Sequence, residues 1–242
     1  VKDYQLLDYT PINYSGKLVP LKPMQPLTVP DGDAKWGIKM PTKGSVNMQI
    51  DVPQGLKSLP FRIDLYYDKT ITLLDSGGKA IWHTDVKGLK NYQVDELNIP
   101  LPSAGHYTIQ IGCSAGLEFQ TFKGLDMVFP GFIAEMGAPS PRVYFYVPSG
   151  LRTIAMYIPA GDFGGSAPQV VMDPNGKQVL IKSYDGGTLV IANVPEGQDG
   201  KAWSLVGVRT PNAPMRLLNA PNFFSLSPET LLVPQDALNL VK

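Results

Sequence analysis

The chain repeats itself at nearly one spacing, and that repetition limits what it can fold into more than any other feature. Val52-Pro53-Gln54-Gly55-Leu56 returns 95 residues later as Val147-Pro148-Ser149-Gly150-Leu151. Leu74-Asp75-Ser76-Gly77-Gly78-Lys79 returns 98 residues later as Met172-Asp173-Pro174-Asn175-Gly176-Lys177, and Asn98-Ile99-Pro100 returns 95 later as Asn193-Val194-Pro195. Three matches in one order, at nearly one offset, predict a duplicated unit and two similar modules. The 242 residues fit that division, because a domain of roughly 100–150 residues can bury its own core.

The fold class emerges from the residues between the repeats. Only 17% of residues are charged, while there are 24 Gly and 23 Pro, the composition of many short strands joined by tight turns. Val46, Met48, Ile50 and Val52 alternate with polar residues, as do Trp36, Ile38 and Met40, so each set turns one face inward on a strand. Phe61, Ile63, Leu65 and Tyr67 read as a further inward set, with Arg62, Asp64 and Tyr66 on the opposite face. Asp75-Ser76-Gly77-Gly78 and Asp173-Pro174-Asn175-Gly176 read as hairpin turns, the second with type I preferences. Its flanks, Val170 to Met172 and Val179 to Ile181, read as the paired strands. Tyr107 and Trp203, at equivalent places in the two copies, read as core aromatics.

Pro11, Pro20, Pro23, Pro26 and Pro30 exclude a helix from the start of the chain, which reads as an extended lead-in. The tail from Leu217 to Pro234 reads as a strand and a strap, with one helical turn at Ser227-Pro228-Glu229. Gly137, Pro139 and Pro141 mark a boundary turn. The expected architecture is therefore all-β: two tandem jelly-roll or Ig-like β-sandwich modules related by internal duplication, residues 1–136 with the Pro-rich lead-in and residues 137–242 with the C-terminal strap.

Lys plus Arg equals Asp plus Glu at 21 each, so no net field steers the chain toward nucleic acid. No apolar run approaches the ~20 residues that span a bilayer, and the start Val1-Lys2-Asp3 has no signal-peptide pattern. Cys113, the single cysteine, lies in an apolar alternation and reads as a buried thiol.

Chemistry is sparsely marked. His83 and His106 are the two histidines, and neither belongs to a metal-ligand spacing. No nucleophile elbow or phosphate loop occurs, so no catalytic residue, metal or cofactor is expected. Asp75 and Asp173 occupy turns where Asp is favoured for local hydrogen bonding. The pattern that best fits a ligand is the outward set Arg62, Asp64 and Tyr66, with Trp82 and Tyr92 as neighbours. Aromatic rings stack on the C–H faces of sugars, while planar charged groups meet their hydroxyls. The alternative for the same residues is a solvated sheet face.

The phrases Tyr144-Phe145-Tyr146-Val147-Pro148-Ser149-Gly150, Met172 to Lys177, Val194-Pro195-Glu196-Gly197-Gln198-Asp199-Gly200-Lys201-Ala202-Trp203-Ser204-Leu205 and Arg216 to Pro221 together resemble the tandem β-sandwich accessory regions, similar to carbohydrate-binding modules, of exported bacterial glycoside hydrolases and related polysaccharide-degrading proteins. The resemblance covers about residues 140 to 235, and the first module joins it through the repeat. It implies a non-catalytic, exported unit, secreted, periplasmic or cell-surface, whose partners are a polysaccharide or glycan and the catalytic domain of the same polypeptide. A structural spacer or protein-interaction module without a glycan site is the alternative, and a small carboxylate-pair glycosidase the third.

Overall fold

The computed structural model describes residues 12–22, 44–64, 67–89, 94–113, 119–120, 125–130, 142–158, 170–184, 189–206 and 215–238. The boundary expected near residue 137 lies outside them, as do Trp36, Ile38, Met40 and Leu65. The strands, in order, are β1 (Leu18–Pro20), β2 (Gly44–Val52), β3 (Ser58–Asp64), β4 (Lys69–Leu74), β5 (Ala80–Val86), β6 (Val94–Pro100), β7 (Gly105–Cys113), β8 (Phe119–Gln120) and β9 (Asp126–Pro130). They continue as β10 (Val143–Val147), β11 (Thr153–Tyr157), β12 (Val170–Met172), β13 (Gln178–Val179), β14 (Ile181–Tyr184), β15 (Leu189–Asn193), β16 (Lys201–Val206), β17 (Arg216–Leu217), β18 (Phe223–Phe224) and β19 (Leu232–Pro234). A single helical turn, α1 (Gln235–Leu238), comes last. The fold is all-β, with antiparallel pairing throughout the described ladders.

The two halves pair their strands in the same order. In the first, β2, β7, β4 and β5 are consecutive in one sheet while β3 pairs with β6 in another. In the second, β10, β16, β12 and β13 are consecutive in one sheet while β11 pairs with β15 in another. The registers correspond as well: Ile50 lies opposite Tyr107 as Phe145 lies opposite Trp203, and Leu73 opposite Ile109 as Val171 opposite Leu205. In the first half, Met48, Ile50, Ile71, Leu73, Ile109 and Ile111 from one sheet meet Leu59, Phe61 and Ile99 from the other, all fully or almost fully buried. This is the interior of a sandwich, filled by the inward members of each alternation.

Local chemistry explains the shared parts. In both hairpins the Asp carboxylate Oδ1 accepts two backbone N–H bonds, from Gly77 and Lys79 at 2.9 Å each in the first and from Asn175 and Lys177 at 2.9 and 2.8 Å in the second. Gly78 and Gly176 close these turns at φ of 79° and 77°, a left-handed conformation that glycine adopts at no steric cost. Each core aromatic also ties its polar tip to the preceding turn, since Tyr107 Oη donates to the Ser103 carbonyl at 3.0 Å and Trp203 Nε1 to the Gln198 carbonyl at 2.8 Å.

Two expectations are corrected here. Tyr67 is exposed, sitting in a bend two residues before β4 rather than on a strand. Val179 to Ile181 is not one strand: Leu180 is 88% exposed, β13 pairs with β12, and β14 pairs with β15 in the other sheet. Val179 lies opposite Val171 of β12 while Ile181 lies opposite Ala192 of β15, so the chain crosses between the sheets at Leu180.

The halves are joined by a third element. Phe223 and Phe224 of β18 pair with Pro130 and Phe129 of β9, and the next residue, Ser225, exchanges backbone bonds of 2.8 and 2.9 Å with Tyr144 of β10. A sheet thus continues from β5 through β9 and the segment 223–225 to β10 and β13. Beneath it, the Phe224 ring sits 6.4 Å from that of Phe129 and 6.1 Å from that of Phe145, and one apolar cluster runs through both halves.

Two straps cover part of the outer face of this sheet. Pro228–Thr230 forms the expected helical turn, capped by Ser227, after which β19 pairs antiparallel with β1 of the lead-in. Leu231, Leu232, Val233 and Ala237, together with Tyr14, Leu18 and Val19, pack on Val128, Tyr146, Ala202 and Phe223 in a second apolar cluster. The carboxylate of Asp236 accepts the N–H groups of Ser15 and Gly16 at 2.9 and 3.0 Å, so the two straps are also locked at their ends.

Candidate functional site

Those residues singled out from the sequence that the structure describes lie on different sheets. Arg62 and Asp64 lie on β3, Arg62 in register with Glu96 and Gln120 and Asp64 with Val94. Trp82 is on β5 in the other sheet, opposite Leu73, half-buried and packed against the core. Tyr66 and Tyr92 lie outside the described residues, as do the side chains of Arg62 and Asp64. His83 is exposed.

The structure draws together a second group that the sequence does not single out. On the outer face of the sheet, Gln49 of β2 lies opposite Thr108 of β7, and Asp51 lies opposite His106 on one side and Asp126 of β9 on the other. Gln49 Oε1 accepts from Thr108 Oγ1 at 2.9 Å and lies 2.9 Å from His106 Nε2. An amide oxygen only accepts, so the ring proton sits on Nε2 and Nδ1 is a bare acceptor. Nδ1 is buried with no hydrogen-bond partner among the described residues. Burial holds the His106 pKa below its ordinary value, with Asp51 opposing the effect and Lys17 adding to it, which favours the neutral ring.

Beside the lead-in strap, Gln49, His106 and Thr108 form the floor of a groove of about 700 Å³. Tyr14, Lys17 and Phe223 stand on one side of it and the Asp75 hairpin on the other. Burial pushes the Tyr14 hydroxyl up to about 12, with Asp236 as the second cause, and the hydroxyl is directed at the Asn219 carbonyl at 3.4 Å.

Asp126 is the other unusual group. It is 1% exposed, and neither carboxylate oxygen has a hydrogen-bond partner among the described residues. Burial first, and the charge of Asp51 second, push it up to about 6, since a desolvated carboxylate beside a like charge holds its proton.

Asn219 does structural work of a kind the sequence does not announce. Its buried amide accepts from Ala155 N at 2.9 Å and donates to the Thr153 carbonyl at 2.8 Å, extending the edge of β11 where β17 stops. The alternation on β2 does signal that Asn47, Gln49 and Asp51 share a face. That they meet His106, Thr108 and Asp126 requires knowing the register. Among the described residues there is no cluster of three or more His, Cys, Asp or Glu that could hold a metal ion, and no helix is long and apolar enough to cross a membrane.

No protein-family model matches the chain. No curated protein matches it either. Among solved structures, there is a weak likeness to the crystal structure of dimeric latent PorU from Porphyromonas gingivalis, with 13% sequence identity and a TM-score of 0.23. The match covers 86% of this chain and 20% of that one, so this chain spans about a fifth of that protein's length.

Proposed function

We propose that the chain is a non-catalytic, carbohydrate-binding accessory unit of a larger exported bacterial polysaccharide-degrading protein, built from two jelly-roll-like modules that descend from one duplicated unit. The matched ladders and hairpins support the duplication. The observation that carries the accessory reading is the pairing of the two straps: Leu18 lies opposite Pro234, and Gln235 N donates to the Lys17 carbonyl at 2.9 Å. The first and last described strands therefore run side by side in opposite directions. Within a longer polypeptide, a unit held by adjoining segments would hang from it and would not hold its neighbours apart. That arrangement suits a binding appendage better than a spacer.

The rigid-spacer reading draws on the sheet and core that run through both halves. A glycan array screened with the wild-type chain and with Tyr66→Ala separates the two. The expected result is retention on at least one polysaccharide by the wild type, weakened in the variant if Tyr66 makes the contact. No retention on any polysaccharide by the wild type favours the spacer and ends the carbohydrate reading.

A further inference from the structure

We propose that the groove beside the lead-in strap is a binding site for a neutral polyhydroxylated ligand, a short saccharide segment, held by the carboxamide of Gln49 and flanked by the rings of Tyr14 and Phe223. The proposal rests on the carbohydrate reading above but assigns the contact to a different sheet from β3. His106 and Thr108 both bond to Gln49 Oε1 at 2.9 Å, which fixes the amide plane from two sides. Its Nε2 then presents two donors that carry no hydrogen bond among the described residues. Fixed donors of this kind suit the oxygens of ligand hydroxyl groups, which accept. His106 Nδ1 is closed to solvent and takes no part in the contact.

The charges argue for a neutral ligand. Lys17 stands on the rim, and across from it Asp75 has its Oδ1 occupied by the N–H groups of Gly77 and Lys79. Asp236, bonded to Ser15 and Gly16, and Asp51, opposite His106, stand just behind the lining, so no positive field draws an anionic ligand. The rings of Tyr14 and Phe223 are half-buried and offer apolar surface for the C–H face of a sugar. A volume of about 700 Å³ is that of a small-molecule site.

The test titrates the full chain with short linear oligomers of glucose, mannose, galactose and xylose, using calorimetry for affinity and the ¹⁵N resonances of the His106 ring for location. The expected result is binding of at least one oligomer with a shift of the His106 signals. Gln49→Leu should weaken that binding about tenfold through loss of its donors, and Tyr66→Ala should leave it unchanged. Thr108→Val, which frees the amide without removing it, should weaken binding less than Gln49→Leu does, and thermal melts establish that each variant is folded. Binding that survives Gln49→Leu, or that is lost in Tyr66→Ala, overturns the groove while leaving the carbohydrate reading in place. Failure of every oligomer to bind the wild type overturns both.

Discussion

At matched positions of the two ladders the inward faces agree and the outward faces do not. Gln49 and Thr108 pair in the first half where Tyr144 and Ser204 pair in the second, and Asp51 and His106 pair where Tyr146 and Ala202 do. Tyr146 and Ala202 lie under the straps and belong to an apolar cluster, whereas Gln49, Thr108 and His106 form a hydrogen-bonded polar row at the floor of a groove. The same backbone pairing thus supports a buried layer in one half and an accessible polar surface in the other. Fold resides in the positions the halves share, and the proposed binding chemistry in those they do not.

The sharpest way to break this comparison is at Tyr146 and Asp51. Tyr146 is 3% exposed, so Tyr146→Ala should cost about 3–5 kcal/mol, as other buried aromatic truncations do. Asp51→Ala, at the matched position, should stay within about 1 kcal/mol of the wild type. Urea denaturation checks both, and equal losses would show that the two outer faces carry the fold alike.

Where the halves agree, their variants should agree. Gly78→Ala and Gly176→Ala each force an L side chain into a left-handed turn with no atom within 4 Å of the new Cβ. Each should cost about 1–2 kcal/mol through backbone strain alone. Unequal shifts of the urea midpoint would mean that the hairpins differ in something beyond their bonding.

Asp126 gives the smallest effect and a pH signature. Its native pKa of about 6 exceeds the unfolded value, so the native state keeps a proton that the unfolded state releases. Stability from this group is present below the unfolded pKa of about 3.9, falls as pH rises, and is lost above 6. Asp126→Asn should therefore stabilise the chain at pH 7 by on the order of 1 kcal/mol, after discounting for solvent screening, and by nothing near pH 3. Melting temperatures across that range decide it; a gain that does not change with pH would rule out titration as its source.

Much of the frame was legible in the sequence. The alternation on β2 and β7, the Asp-led hairpins, the core positions of Tyr107 and Trp203, and the helical turn at Ser227 all arise from local periodicity and turn chemistry. The features that were not legible depend on distant partners. Leu180 looks like mid-strand because its neighbours are β-branched, and only their partners, Val171 for Val179 and Ala192 for Ile181, show that the chain crosses there. Gln49 and His106 are 57 residues apart, and only the ladder between β2 and β7 brings them together. Asp126 looks like an ordinary strand-end acid until the register sets Asp51 opposite it.

The segment around Ser225 has a consequence for anyone who would divide this chain at its repeat. It lies between β9 and β10 and satisfies ladder bonds on both, while belonging in sequence to the second half alone. The first half expressed without it would leave the free side of β9 open, and bare edges of this kind recruit strands from other molecules. The second half alone would carry β18 with no β9 to receive it. The repeat is a unit of sequence, but in solution the smallest well-behaved piece should be the whole pair.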